Sequence, residues 1–249
     1  MRLQKLVAIV ATGVVVSGAL YGQSYTIYLN AADFEAAAQS FYRINFDNIA
    51  PNTDISGQTI QGVTFVRTGA PLIVVRAADT YTPIEGWSSG TVLNPSQNKL
   101  IATSGENVLS PGGVVLGPGP NPDIEDDSLT IVFQNPVPGF GFDHISQSAD
   151  GDGYTFVRVF AEDESVIFSG TIPISNTGPP NNALPAADFW GIISQTLIKK
   201  IVFTETDNNN VHPDCNIGYD SFRIVPEPAS LLALGAGLAG LMGLKRRKR

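Results

Sequence analysis

Between residues 25 and 225, short β-branched and aromatic runs alternate with glycine, proline, asparagine and aspartate, and this pattern limits the possible folds most. The region holds 18 of the 25 Gly and 15 of the 17 Pro in the chain, so long helices are not expected there. Such runs predict an all-β domain, an antiparallel β-sandwich or jelly roll. The predicted strands are residues 43–46, 62–67, 71–77, 129–133, 139–143, 154–160, 165–170, 197–204 and 219–225.

One short helix is predicted near the start of this domain, over residues 31–41. Asn30 suits its N-cap, and Asp33 occupies the capping-box position three residues later. Four apolar side chains at helical spacing would pack the helix on a sheet. They are Phe34, Ala37, Ala38 and Phe41.

Two Gly- and Pro-rich segments, residues 104–127 and 174–188, are predicted to be long loops, which are usually functional or flexible. Residues 162–164, Glu-Asp-Glu, are predicted to form a hairpin turn between two strands.

The charge of the central region limits its partners. The whole chain has a formal charge of −8, but residues 25–225 hold 8 cations and 22 acids, which gives 8 − 22 = −14. Nucleic-acid binding relies on Lys and Arg, so we do not expect it here. The single cysteine, Cys215, excludes an intramolecular disulfide and a cysteine-based zinc cluster.

The first 24 residues have the pattern of a secretory signal peptide. Arg2 and Lys5 precede an apolar run over residues 6–16, which would form a signal helix. Small residues follow, so cleavage after Ala19 or Ser24 is expected. The run is short for a membrane span, although an uncleaved N-terminal anchor is the alternative. The ectodomain would then cover residues 25–225.

The last 24 residues, 226–249, have three parts. Pro226, Glu227 and Pro228 end the preceding strand, because proline lacks the N–H donor that a sheet requires. Residues 229–244 carry no charge and would form an apolar helix, which predicts a temporary stop-transfer segment. The basic end would stay on the cytoplasmic side of the membrane. It consists of Lys245, Arg246, Arg247, Lys248 and Arg249.

This order of Pro-Glu-Pro, apolar segment and basic cluster resembles the PEP-CTERM sorting signal of Gram-negative bacteria. The resemblance implies recognition by an exosortase in the membrane and delivery to the cell surface or extracellular matrix. An ordinary C-terminal anchor with a proline hinge is the alternative.

Short segments of residues 30–225 resemble the ectodomain that often precedes this signal. They are residues 33–37, 44–47, 62–65, 141–143, 189–194 and 217–222. The resemblance implies a jelly roll similar to galactose-binding domains.

The strongest candidate for a metal site is a structural calcium ion held by Asp47 and Asp220. Asp47 ends an early strand and Asp220 lies in the last one, and jelly rolls commonly place these strands side by side. Carboxylates with Asn45, Asn48 or carbonyl groups could supply the 6–8 oxygens that Ca²⁺ requires. Alternatively, both aspartates cap turns.

A second acidic segment imitates half of an EF-hand loop. Asp150 and Asp152 take the third and fifth positions, but Val159 stands where a bidentate glutamate is needed. A glycine-containing turn is the alternative interpretation.

No catalytic motif is present, so we expect a protein that is not an enzyme. Asp143 and His144 adjoin in sequence without forming a triad, and His144 is expected at the surface. Trp87 and Tyr81 lie in a polar loop and could stack on sugars, whereas Trp190 is expected in the core.

These features predict an exported structural or carbohydrate-binding protein of the surface or matrix. Its partners would be signal peptidase and exosortase during export, and then extracellular polysaccharide. A secreted hydrolase of matrix polysaccharide and a self-associating adhesin are the alternatives.

Overall fold

A computed structural model describes residues 16–20, 23–67, 72–77, 101–110, 128–146, 154–172, 186–206 and 217–227. The described residues form thirteen strands and one helix. In chain order these are β1 (Val16–Leu20), β2 (Gln23–Tyr28), α1 (Ala31–Ala38), β3 (Tyr42–Ile44), β4 (Thr53–Asp54), β5 (Thr59–Ile60), β6 (Val63–Val66), β7 (Ile73–Arg76), β8 (Asn107–Ser110), β9 (Leu129–Ser146), β10 (Tyr154–Phe160), β11 (Val166–Thr171), β12 (Ala186–Thr206) and β13 (Ile217–Val225).

Hydrogen bonds connect all these strands, and every strand pair is antiparallel, as the sequence predicts. The two longest strands, β9 and β12, divide the network into halves. In the first half, residues 139–146 of β9 pair with residues 186–193 of β12, and this pair lies between β13 and β2. In the second half, the start of β9 pairs with the end of β12, and this pair lies between β6 and β10. Register shifts between Ile193 and Lys200 separate the two parts of β12.

The two halves face each other across one core of aromatic rings. Phe65 of β6 lies 5.5 Å from Phe222 of β13, measured between ring centroids, and Phe142 lies 5.0 Å from Phe203. Both pairs join a strand of one half to a strand of the other. Strands that pass between two packed layers at register shifts are typical of β-sandwiches. The predicted fold class is confirmed.

The predicted helix forms but is shorter than expected. Asn30 Oδ1 accepts hydrogen bonds from the backbone N–H groups of Ala32 and Asp33 at 2.9 and 3.2 Å, so the predicted N-cap is confirmed. The helix ends at Ala38 because Gln39 adopts a φ of 59°, and Phe41 therefore lies beyond it. Of the predicted apolar stripe, only Phe34 is buried.

Phe34 packs against the outer face of the sheet, where two glycines leave space for it. Gly141 and Gly191 are paired across β9 and β12. A Cβ atom on Gly191 would lie 2.7 Å from the Phe34 ring, and one on Gly141 would lie 2.7 Å from Phe189. Side chains at these positions would lift the helix from the sheet.

Several stretches of backbone differ from the sequence prediction. The strand predicted at residues 197–204 is part of β12, which begins at Ala186 inside the loop predicted at residues 174–188. The predicted loop at residues 104–127 contains β8, and the predicted strands at 129–133 and 139–143 are parts of the single strand β9. Within the predicted signal peptide, β1 is a strand paired with β2 from Val16↔Ile27 to Leu20↔Gln23.

Candidate functional site

Asp47 and Asp220, which the sequence predicts as calcium ligands, both hold the segment that leads into β8. As expected for a jelly roll, the early strand β3 pairs with the last strand β13, with Ile44 opposite Phe222. The two aspartates are thus brought to one region, but their carboxylates contact different ends of residues 103–107.

Asp220 is fully buried and accepts a dense set of hydrogen bonds. Its Oδ2 accepts from the backbone N–H groups of Thr103 and Ser104 at 2.8 and 2.7 Å. Its Oδ1 accepts from Ser104 Oγ at 2.8 Å and from the N–H of Ser221 at 2.6 Å. Burial raises the pKa of Asp220, and these hydrogen bonds from Ser104, Ser221 and Thr103 oppose that shift. These donors enclose the carboxylate, and Asp220 thereby holds residues 103 and 104 against β13.

Asp47 holds the same segment from its exposed side. Its Oδ1 accepts from the N–H groups of Glu106 and Asn107 at 2.8 and 3.1 Å. Gly105 has a φ of 48°, and a Cβ atom there would lie 2.2 Å from the Asp47 carboxylate. The close approach of this carboxylate therefore requires glycine at position 105.

Asn107 connects the start of β8 to the turn that carries Asp47. Its Nδ2 donates to the carbonyls of Phe46 and Ile49 at 3.2 and 2.9 Å, which fixes the orientation of the amide. The side chain is buried. The turn at residues 46–49 and the start of β8 are thus joined twice. Asp47 of the turn accepts from the backbone at β8, and Asn107 of β8 donates to the backbone of the turn.

An open cleft lies next to this junction, with a volume of about 570 Å³. Arg76 and Glu106 stand on its rim, and the Arg76 Nε atom lies 3.6 Å from Glu106 Oε2. Both side chains are exposed, by 48% and 78%. The remaining lining residues are Asp47, Asn48, Ile49, Ala50, Pro51, Gly105 and Asn107.

A second polar cluster attaches α1 to the sheet. Arg223 is buried, and its Nε and Nη1 atoms contact Glu35 Oε1 at 2.6 Å and Asp143 Oδ1 at 3.1 Å. Burial raises the pKa of Glu35, but the hydrogen bonds from Arg223 and Arg43 outweigh burial and hold this pKa below its ordinary value. All these charged groups are paired, which is typical of a structural network.

His144 lies in the core, so the prediction that it is at the surface was wrong. Its Nε2 atom lies 2.9 Å from Thr155 Oγ1. Strand alternation predicts that one of two neighbouring residues faces solvent, but here Asp143 is also buried, because Arg223 covers that face. Burial lowers the pKa of His144 to about 4, although the Asp188 carboxylate opposes this. Trp190 is buried in the core, as predicted.

Several predicted site residues lie outside the described part of the chain. They are Trp87, Tyr81, Asp150, Asp152, Pro228, Lys245, Arg246, Arg247, Lys248 and Arg249. In the described ranges, no group of three His, Cys, Asp or Glu side chains could hold a metal ion. The described residues also contain no helix long and apolar enough to cross a membrane.

The C-terminal sorting signal begins where the last strand ends. β13 ends at Val225, and Pro226 and Glu227 follow it as exposed residues. The family model for the PEP-CTERM protein-sorting motif matches residues 225–248. The chain carries a PEP-CTERM sorting motif. It is therefore an exported protein of the bacterial cell envelope that exosortase processes.

Comparisons with other proteins add little to this result. No curated protein matches the chain. The K2 cleaved adhesin domain of Lys-gingipain is 13% identical with a TM-score of 0.37, covering 74% of this chain and 99% of its own. The enzymatically active domain of bacteriophage CBA120 tailspike protein 4 is 14% identical with a TM-score of 0.19, covering 68% of this chain and 21% of its own. At these scores neither likeness bears on function.

Proposed function

We propose that this protein is a non-catalytic component of the cell surface or extracellular matrix that binds polysaccharide. The observation that carries the proposal is the direct continuation of the β-sandwich into the sorting motif at Val225. The folded domain is thereby the part that is delivered outside the cell, where polysaccharide is the abundant partner.

The handling of the two termini belongs to this proposal. Signal peptidase removes the N-terminal segment, and residues 229–244 anchor the chain transiently in the inner membrane of a Gram-negative cell. The cations at residues 245–249 stay on the cytoplasmic side until exosortase acts. The intact mass of the protein from its native host would reveal both cleavage sites.

Tyr81 and Trp87, in a segment whose sequence predicts a polar loop, support a carbohydrate-binding role. In sequence, both residues lie between Ala77, which follows β7, and residue 101. Asp220 and Asp47 hold residues 103–107, which come soon after. Aromatic side chains in a polar sequence are suited to stacking on sugar rings.

A pull-down with polysaccharide from the native matrix tests this function. We expect binding without release of reducing ends, weakened by Trp87→Ala and largely kept by Trp87→Phe. Released reducing ends would instead identify the protein as a hydrolase. Concentration-dependent sedimentation without any polysaccharide binding would favour a self-associating adhesin.

A structural calcium ion remains part of the proposal, with Asp47 as its main ligand. The two hydrogen bonds of Asp47 engage Oδ1, which leaves Oδ2 as the oxygen that would contact an ion. The hydrogen bonds of Asp220 engage both of its oxygens, so Asp220 would have to exchange them for the ion. The structure thus supports Asp47 better than Asp220.

A further inference from the structure

The cleft beside the start of β8 combines a fixed wall with exposed charged groups. Its wall is the junction of the turn at residues 46–49 with β8, which Asp47 and Asn107 fasten through backbone hydrogen bonds. Such bonds position the wall without the loss of conformational freedom that a flexible loop would undergo on binding.

The rim supplies both kinds of hydrogen-bonding group. The Arg76 guanidinium is a donor only and the Glu106 carboxylate is an acceptor only, and their separation of 3.6 Å places them side by side. Neighbouring hydroxyl groups on a sugar ring each donate and accept, so they can bond to both groups at once. The volume of about 570 Å³ is within the range of ligand sites.

The cleft is also open to solvent rather than enclosed, which leaves room for a sugar unit that continues into a polymer. Among the charged residues of the lining are two acids, Asp47 and Glu106, and one cation, Arg76. The surrounding domain has a charge of −14, from 8 cations and 22 acids. An acidic polysaccharide would be repelled by this field, whereas a neutral one would not.

We propose that this cleft binds neutral sugar units of an extracellular polysaccharide through Arg76 and Glu106. The inference rests on the proposed polysaccharide-binding function, and it adds both the place of contact and the chemical class of the sugar. It requires no metal ion, because the rim side chains make the contacts themselves.

The test uses native matrix polysaccharide separated by anion exchange into neutral and acidic fractions. Binding of the purified protein to each fraction is measured in chelator and again with Ca²⁺. We expect binding to the neutral fraction under both conditions, and a reduction of about tenfold in Arg76→Ala and Glu106→Gln, as expected for losing hydrogen bonds to a ligand.

Matched controls come from the opposite half of the sandwich. Arg158→Ala removes an exposed arginine from β10, and Glu164→Gln removes an exposed, ion-paired glutamate from the β10–β11 turn. Both controls should bind like the wild type. Unfolding curves of all four variants should stay close to wild type, which separates lost contacts from lost folding.

The outcomes separate the two proposals. A wild-type protein that binds neither fraction contradicts the proposed function itself. Binding to the acidic fraction alone, or binding that the Arg76 and Glu106 variants leave unchanged, keeps the function and overturns the cleft. Binding that requires Ca²⁺ also overturns it, because an ion would then make the contact.

Discussion

The segment that leads into β8 is held at two points, and these two points differ in their access to solvent. At one, the buried carboxylate of Asp220 is enclosed by donors from Thr103, Ser104 and Ser221. At the other, Asp47 binds two backbone N–H groups from the edge of an open cleft. The same residue type thus performs the same backbone contact in two environments.

This difference in solvent access assigns a structural role to the enclosed Asp220 and leaves Asp47 able to bind a ligand. An enclosed carboxylate stabilises the fold only if all its partners remain, and removing it leaves buried donors without acceptors. A carboxylate at an open cleft can exchange its protein hydrogen bonds for bonds to water at little cost, so it remains available to a ligand. The following changes test that separation.

The largest effect is expected for Asp220→Ala. The backbone N–H groups of Thr103, Ser104 and Ser221 would lose a buried acceptor, and we expect the free energy of unfolding to fall by about 3 kcal/mol. Urea denaturation measures it. The control is Asp163→Ala in the β10–β11 turn, where an exposed carboxylate accepts from the N–H and Oγ of Ser165. Equal losses in both variants would contradict the distinction between enclosed and open sites.

The second effect concerns the acid stability of the enclosed region. His144 lies opposite Tyr219, the neighbour of Asp220, and its pKa falls from 6.5 to about 4 on folding. The unfolded chain therefore takes up the proton first, and stability should fall by about 3 kcal/mol as the pH drops from 6.5 to 4. The raised pKa of Asp220 acts in the opposite sense at the acid end of this range.

Urea denaturation between neutral and acid pH measures this dependence. The control His144→Leu removes the titrating group, so its stability should change less over the same range. A wild type and a His144→Leu variant with identical pH dependence would show that His144 does not carry the effect.

The sequence indicates the elements of this region but not their contacts. Asn30 and the period of the short runs predict α1 and most strands, because capping and alternation are local properties. β8 was missed because all four of its residues are buried, so it shows no alternation, and it lies in a Gly- and Pro-rich stretch. The Asp220–Thr103 contact spans 117 residues, and nothing local specifies such a pairing.

A third change tests the close packing of Gly105 against the Asp47 carboxylate. In Gly105→Ala the new Cβ atom would meet the Asp47 carboxylate at 2.2 Å, and the φ of 48° adds a left-handed backbone cost of about 1–2 kcal/mol. The control Gly57→Ala has a φ of 74° but nothing within 4 Å. We expect Gly105→Ala to be the less stable variant in thermal unfolding. Equal stability would mean that the contact with Asp47 has no energetic weight.

The smallest effect on stability is expected for a substitution of Asp47 itself. The same variant tests whether calcium binds to the Asp47 carboxylate at the cleft. Asp47→Asn keeps an oxygen for the N–H groups of Glu106 and Asn107, so the loss of stability without calcium should be about 1 kcal/mol or less. With millimolar Ca²⁺, the melting temperature of the wild type should exceed that in chelator, since an ion bound only to the folded state stabilises it. Asp47→Asn should lose that increment. Asp54→Asn should keep it, because Asp54 is not among the residues that line the cleft, although its Oδ1 also accepts from two backbone N–H groups. Identical wild-type melting curves in Ca²⁺ and chelator would leave Asp47 with its role in holding β8 and remove calcium from the site.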